Sequence, residues 1–285
     1  MYSGGKYWLH LWGGIGDFIK MYYAHKVWRK IEDIKNKNPN VKIKALVYSL
    51  NKNAKELIEY HPAIDEIFHP KGKLFEVRKK GISSYAEDYT PLASEKQLLK
   101  QAKETKPKIY LSPTDKQLVD ETIKSITGKF VIIHPFSAMS AVFPTTRTTM
   151  PADKYIPIVE GLSKKGIYSI ILGCTNSTEA GKQEKFSYES PYVKNLIDKT
   201  SVRSALDLVK RSHGFIGTNS CFMCAAFLEK KPSYVITSSY WKDKTSKGFI
   251  ANNLKKINGH FVYLPEDKSG VNYNKIQQKA IEWFS

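Results

Sequence analysis

Three short segments of this 285-residue sequence combine residue types that could transfer a proton and bind an anion. The first, Gly13-Gly14-Ile15-Gly16-Asp17, lies between an apolar run and an amphipathic helical pattern. Its glycines, Gly14 and Gly16 in particular, allow a tight turn and leave the first helix amides open to an anion. The pattern is neither the dinucleotide fingerprint nor a P-loop. Asp17 therefore either caps the helix or accepts a proton from a substrate hydroxyl.

The second segment is a hydroxyl-rich loop that follows the apolar run ending at His134. Its candidate ligand-binding residues are Ser137, Thr145, Thr146 and Arg147. Hydroxyls and a guanidinium close to helix amides are the groups that bind a diphosphate. A helix is predicted to open directly after this loop at a proline, which the first turn of a helix tolerates.

The third segment is a small polar turn between a short apolar strand pattern and a helix. Its candidate ligand-binding residues are Gly217, Thr218, Asn219, Ser220, Cys221 and Met223. Cys221 and Cys224 form a C-x-x-C pair, which permits a redox or zinc role. The chain has only three cysteines, so it cannot complete a four-cysteine zinc site. Packing is the favoured role for these thiols.

The elements that must position these segments follow an alternating pattern of apolar runs and helical periodicity, which is typical of βα units on parallel sheets. The alternation weakens at 70–112 and restarts at residue 130. We predict an α/β fold of two Rossmann-like domains, 1–127 and 128–285, whose parallel sheets face a central cleft. The last helix, at 273–284, could pack back on the first domain. Ligands of such sheets bind at the carboxyl ends of strands, where all three segments are predicted to lie.

A basic cluster occupies the stretch in which the alternation weakens. It consists of Lys71, Lys73, Arg78, Lys79 and Lys80. Such a cluster is either a solvated loop or an insertion that faces an acidic acceptor.

The composition favours anionic partners and a reducing compartment. The net charge of +18 suits nucleotides, nucleic acid or phosphorylated lipid surfaces. An odd number of cysteines provides no disulfide framework. The first residues lack the layout of a secretory signal, and no stretch approaches the roughly eighteen apolar residues of a membrane span. We therefore expect a cytoplasmic protein without a transmembrane segment that could still contact a membrane surface or nucleic acid peripherally.

Together the three segments resemble the ADP-heptose:lipopolysaccharide heptosyltransferases of glycosyltransferase family 9, which have the GT-B fold. The resemblance covers the first βα unit and about 130–240, but not 70–112. Gly16-Asp17-Phe18-Ile19 resembles the family motif G-D-x-(I/V), whose aspartate is the proposed catalytic base. Asp17 inherits that role by resemblance.

Two further motifs of the family are only partly retained. Thr145-Thr146-Arg147 resembles the start of the donor motif T-T-R-x-x-K-x-W-P, but the lysine and tryptophan are missing. The segment 217–226 resembles G-x-D-S-G-P-M-H-x-A. Three departures from that motif stand out, at Asn219, Cys221 and Cys224, where the family has Asp, Gly and His.

The resemblance implies an enzyme that moves a sugar from a nucleotide-diphosphate sugar to an acceptor hydroxyl. Transfer would invert the anomeric centre and need neither a metal nor a cofactor, and no paired-carboxylate or D-x-D metal motif stands out. The expected acceptor is a surface glycan or lipopolysaccharide. Two alternatives are a phage-type DNA glycosyltransferase acting on hydroxylated bases and a non-catalytic GT-B module that binds nucleotides or nucleic acid.

Overall fold

The computed structural model describes residues 6–12, 15, 19, 27–48, 52–68, 87–89, 109–136, 150–175, 186–239, 259–265 and 267–285. The chain separates into two compact units, Met1–Ser112 and Pro113–Ser285. Among the residues just given, no helix is both long enough and apolar enough to cross a bilayer.

The first unit is built on a parallel sheet. Its described strands are β1 (Lys6–Trp12), β2 (Lys42–Tyr48), β3 (Glu66–Phe68) and β4 (Glu87–Tyr89), in the order β3-β2-β1-β4. The helix α1 (Val27–Lys37) and a 3-10 helix (Lys52–Leu57) connect them. Leu9 and Leu11 of β1 are buried on one face of the strand, since alternate residues of a strand share a face. Ile31 and Ile34 of α1 are buried, in agreement with the amphipathic helical pattern that follows the first segment.

The second unit contains a larger parallel sheet. Its described strands are β5 (Phe130–His134), β6 (Tyr168–Ile171), β7 (Val193–Asn195), β8 (Gly214–Gly217), β9 (Ser233–Ser238) and β10 (Gly259–Leu264). Its described helices are α2 (Pro113–Lys124), α3 (Ile156–Lys164), α4 (Val202–Arg211), α5 (Cys221–Leu228) and α6 (Tyr273–Trp283), with a 3-10 helix at Ala152–Tyr155. The strand order is β10-β9-β8-β5-β6-β7.

The central strands of this sheet are fully buried, and this burial explains why their sequences are largely apolar. Every residue of β5, β8 and β9 is buried. Strands of a parallel sheet are covered on both faces and therefore read as continuous apolar runs. Helix α4 is capped by Ser201, whose hydroxyl accepts a hydrogen bond from the Ser204 amide at 3.1 Å.

The second unit begins with α2, which lies within the predicted first domain, 1–127. Asp115 on α2 accepts a hydrogen bond from Nε of Arg203 on α4 at 2.9 Å, and both side chains are only 8% exposed. The Ser201 hydroxyl also donates to Asp115. The two units divide after residue 112, whereas the predicted boundary lies at 127, and this ion pair is one of the contacts that join α2 to α4.

The last helix, α6, packs against α3 within the second unit. Gly161 on α3 makes this approach possible, because a Cβ atom there would lie 2.2 Å from the Ile281 side chain. Gln277 of α6 also donates a hydrogen bond to the Lys154 carbonyl at 2.8 Å. The packing of this helix on the first domain and the cleft between the domains stay predictions.

Candidate functional site

The candidate site lies at the carboxyl ends of the neighbouring strands β5 and β8. His134 and Gly217 are paired in register at these ends, and the Thr218 amide donates to the His134 carbonyl at 3.2 Å. A Cβ atom on Gly217 would lie 2.5 Å from the His134 carbonyl oxygen and 2.8 Å from the Phe215 ring. Only glycine therefore permits this close approach, which brings the loop after β8 next to the end of β5.

The segment from Thr218 to Ser220, called here the β8–α5 loop, delivers the chain into helix α5. The Ser220 hydroxyl accepts a hydrogen bond from the Met223 amide at 3.4 Å and caps the helix. The first amides of a helix have no carbonyl partner within it, and the helix dipole makes this end positive. Asn219, Ser220 and Cys221 are partly exposed, whereas Met223 is buried. The loop therefore presents an anion-binding helix end beside small polar side chains.

The side-chain hydroxyl of Thr218 is buried within the β8–α5 loop. The residue is 1% exposed, and its Oγ1 has no hydrogen-bond partner among the described residues. A buried hydroxyl left unpaired costs about 1–3 kcal/mol. A ligand or a water molecule at the strand ends could supply the missing partner.

His134 forms the floor beneath the loop. Its Nδ1 lies 2.8 Å from the Leu172 carbonyl, so this nitrogen carries the proton that it donates. The ring meets Phe222 of α5 edge to face, with centroids 4.8 Å apart. Burial lowers the pKa of His134 to about 4, although the hydrogen bond to Leu172 acts in the opposite direction. The imidazole is therefore neutral near pH 7. It packs between the Phe222 ring of α5 and the backbone that follows β6.

The end of β6 contributes a third strand end. A Cβ atom on Gly173 would lie 2.3 Å from the Phe136 ring, so this glycine lets the chain leaving β5 pack on β6. Asp198 accepts hydrogen bonds from the amide and the hydroxyl of Thr175. Burial opposes the ionisation of Asp198, but these bonds and one from Cys174 outweigh it and lower the pKa. The Asp198 carboxylate thus stabilises the turn that follows β6.

Sequence reasoning did not single out His134, Gly173 or Asp198. The only available signal for His134 was a polar residue at the end of a buried apolar run. The other two depend on contacts between segments that are distant in the chain.

The structure describes only one of the three predicted segments. It brings Gly217, Thr218, Asn219, Ser220, Cys221 and Met223 together in the β8–α5 loop and the start of α5. The predicted residues Gly14, Gly16, Asp17, Ser137, Thr145, Thr146, Arg147, Lys71, Lys73, Arg78, Lys79 and Lys80 lie outside the described residues. Phe136 and Met150, which flank the predicted donor loop, are both buried in the core of the second unit.

The C-x-x-C pair lies on the first turn of α5. Cys221 is partly exposed and Cys224 is buried, and no disulfide is formed by these residues or by Cys174, all of which are described. Within the described ranges, no group of three His, Cys, Asp or Glu side chains is arranged to hold a metal ion.

Two α/β units, each built on a parallel sheet, define the class of fold as GT-B. The fold is similar to that of Escherichia coli ADP-heptose LPS heptosyltransferase II, with a TM-score of 0.56, 11% identity and coverage of 98% of both chains. The E. coli heptosyltransferase WaaC with ADP gives a TM-score of 0.55, 11% identity and 97% coverage of both chains.

A third similar structure is the family 9 glycosyl transferase from Veillonella parvula. Its TM-score is 0.52 at 13% identity, and the match covers 91% of this chain and 85% of the other. No family model and no curated protein matches the sequence. The predicted GT-B fold, and the likeness to family 9 at the level of the fold, are confirmed.

Proposed function

We propose that this chain is a glycosyltransferase that moves a sugar from a nucleotide-diphosphate sugar to an acceptor hydroxyl. The observation that carries the proposal is the β8–α5 loop at the carboxyl ends of β5 and β8. It combines the open amides of a helix N-terminus with the buried hydroxyl of Thr218, which has no hydrogen-bond partner among the described residues. In open α/β sheets this edge is where nucleotide ligands bind.

The donor diphosphate would be held by the β8–α5 loop and by the hydroxyl-rich loop that follows β5. The helix amides and the Thr218 hydroxyl donate hydrogen bonds to phosphate oxygens, and Asn219 and Ser220 provide further polar groups. By resemblance, Thr145, Thr146 and Arg147 contribute from the other loop, and Ser137 adds a further hydroxyl there. The ADP named with E. coli WaaC supports a nucleoside diphosphate as the ligand class.

In the proposed reaction Asp17 acts as the general base. It removes the proton from the acceptor hydroxyl while that oxygen attacks the anomeric carbon of the donor sugar. The bond between the anomeric carbon and the diphosphate oxygen breaks at the same time, so the configuration inverts. Arg147 and the helix amides stabilise the negative charge that develops on the departing diphosphate. These groups would take the place of a metal ion, and no cofactor is required.

The proposed acceptor is an acidic surface glycan of the lipopolysaccharide type. LPS heptosyltransferase II, which shares the fold, supports this class. The net charge of +18 would attract such an acceptor, and the basic cluster of Lys71, Lys73, Arg78, Lys79 and Lys80 is the proposed contact. The reaction would take place in the cytoplasm, with peripheral contact at the membrane surface.

The test uses the full-length protein with a panel of nucleotide-diphosphate sugars and truncated lipopolysaccharide acceptors. We expect Asp17→Asn to lower kcat by about 10²–10⁴-fold while donor binding is retained, because only the proton transfer is lost. Asp153→Asn is the matched control, since this carboxylate is 61% exposed on the surface of the second unit. Full transfer by Asp17→Asn would refute the assignment of the base.

The same experiment separates the alternative functions. Nucleotide binding without hydrolysis or transfer for any donor would indicate a non-catalytic module. Salt-sensitive binding of duplex DNA, together with transfer to hydroxylated bases, would indicate a DNA glycosyltransferase.

A further inference from the structure

Cys221 and Cys224 occupy the first and fourth positions of helix α5 and therefore share one face. Side chains at this spacing have Cβ atoms about 5–6 Å apart in a regular helix. A disulfide requires about 3.5–4.5 Å. A local tightening of the first turn by about 1–2 Å would therefore allow the two sulfur atoms to bond.

The two cysteines differ in access in the way that a thiol–disulfide pair requires. Cys221 is partly exposed at the start of the helix, whereas Cys224 is buried with 6% exposure. The Cys224 amide is held by the Ser220 carbonyl at 3.2 Å, so the second cysteine sits within the hydrogen-bonded turn. The positive end of the helix dipole favours a thiolate at the first position, and the thiolate is the reactive species. The sulfur of Cys221 is therefore placed to attack a disulfide from solution, and the sulfur of Cys224 is placed to displace the mixed disulfide that results.

We propose that Cys221 and Cys224 form a reversible thiol–disulfide pair that reacts with small-molecule disulfides. The Cys221 thiolate attacks one sulfur of the small disulfide, forming a mixed disulfide and releasing one small-molecule thiolate. The Cys224 thiolate then attacks the Cys221 sulfur, which forms the protein disulfide and releases the second thiolate. The two cysteine thiols lose two electrons and two protons, and the small disulfide is reduced to two thiols.

Oxidation of this pair would also alter ligand binding at the β8–α5 loop. Tightening of the first turn shifts the amides of α5 and the attached residues Thr218 to Ser220. We expect the reduced protein to bind a nucleoside diphosphate about tenfold more tightly than the oxidised protein. This consequence rests on the proposed function, whereas formation of the disulfide does not.

The chemical step is tested on the full-length protein in glutathione buffers of increasing oxidised fraction, followed by alkylation and peptide mass spectrometry. We expect Cys221 and Cys224 to be oxidised together in one two-electron transition. Cys224→Ser should accumulate glutathione on Cys221, and Cys224→Ala repeats the test if the serine variant folds poorly. Cys221→Ser should be glutathionylated at least about tenfold less, because the exposed thiolate is removed.

Cys174→Ser is the matched control, because it removes the remaining thiol at the carboxyl end of β6 and leaves the pair intact. The transition should be unchanged in this variant. Independent oxidation of Cys221 and Cys224, or failure of both Cys224 variants to trap glutathione on Cys221, would overturn the proposal.

The consequence for binding is tested by calorimetry with adenosine and uridine diphosphates on the reduced and the oxidised protein. Weaker binding to the oxidised protein supports control of the loop. Equal affinity of the reduced and the oxidised protein for these diphosphates would overturn the claim that the disulfide alters binding at the β8–α5 loop. Formation of the disulfide without diphosphate binding in either form supports the thiol pair and counts against the proposed function.

Discussion

The unpaired hydroxyl of Thr218 leads to a prediction in which stability and ligand binding change in opposite directions. Thr218 is 1% exposed, and its Oγ1 has no partner among the described residues. Valine has nearly the same shape as threonine but carries a methyl group in place of the hydroxyl. Thr218→Val therefore removes an unsatisfied polar group from the interior without opening a cavity.

The magnitude follows from the desolvation of a hydroxyl. A buried hydroxyl without a partner costs about 1–3 kcal/mol, and the valine variant removes this cost. We therefore expect the free energy of unfolding of the unliganded protein to rise by about 1–2 kcal/mol. Nucleoside diphosphate binding should weaken by about 0.5–1.5 kcal/mol, which corresponds to about 2–10-fold in Kd.

Thr122→Val is the matched control. Thr122 lies on α2, and its hydroxyl donates to the Leu118 carbonyl at 2.7 Å. The same substitution there removes a satisfied hydrogen bond and should lower the free energy of unfolding by about 0.5–1.5 kcal/mol. It should leave the affinity for nucleoside diphosphates unchanged.

The assays are urea denaturation of the unliganded variants and calorimetric titration with nucleoside diphosphates. Equal loss of stability in the two valine variants would mean that the Thr218 hydroxyl is already satisfied, and it would refute the reasoning. A stabilised Thr218→Val protein with unchanged affinity would show that the hydroxyl does not meet the ligand.

Three other predictions concern the framework around the site. Gly217→Ala places a Cβ atom 2.5 Å from a backbone carbonyl and should cost about 1–3 kcal/mol in urea denaturation, together with loss of nucleotide binding. Gly128→Ala, whose nearest contact is 3.5 Å, should change stability by less than about 0.5 kcal/mol. Asp115→Ala removes the carboxylate from a buried guanidinium and should cost about 3–5 kcal/mol, whereas Asp120→Ala breaks an exposed pair and should cost at most about 1 kcal/mol. The pKa of His134 is lowered from 6.5 to about 4 in the folded state, so the unfolded state binds more protons between these values. Stability should therefore fall by up to about 3 kcal/mol as the pH drops from 6.5 to 4, and His134→Asn should remove this contribution from pH-dependent unfolding curves.

The fold class was predictable because its signals are local and repeated. The buried run at 130–134 and the helical spacing of Ile31 and Ile34 each indicate their element without information from elsewhere in the chain. The cap of α4 at Ser201 is also a local feature, because it involves only a few adjacent residues. Parallel sheets follow from the alternation of such elements, since each crossover must return the chain in the same direction.

The candidate site was predictable only where a motif is continuous in sequence. The segment from Gly217 to Met223 forms one turn and one helix start, so its placement at a strand end followed from the sequence. The sequence did not predict that the Thr218 hydroxyl would lack a partner among the residues that the structure describes. Hydrogen-bond satisfaction depends on which strands are neighbours, and here β5 and β8 are adjacent although α3, β6, β7 and α4 separate them in the chain.

The sequence by itself determined the elements, their caps and the residue types at the strand ends, because these depend on interactions within a few residues. Only the tertiary structure decided that Asp115 pairs with Arg203, which places α2 in the second unit. The same holds for the hydrogen bond between His134 and the Leu172 carbonyl. These contacts join residues far apart in the chain, and the order of strands in the sheet, which no local pattern encodes, brings them together.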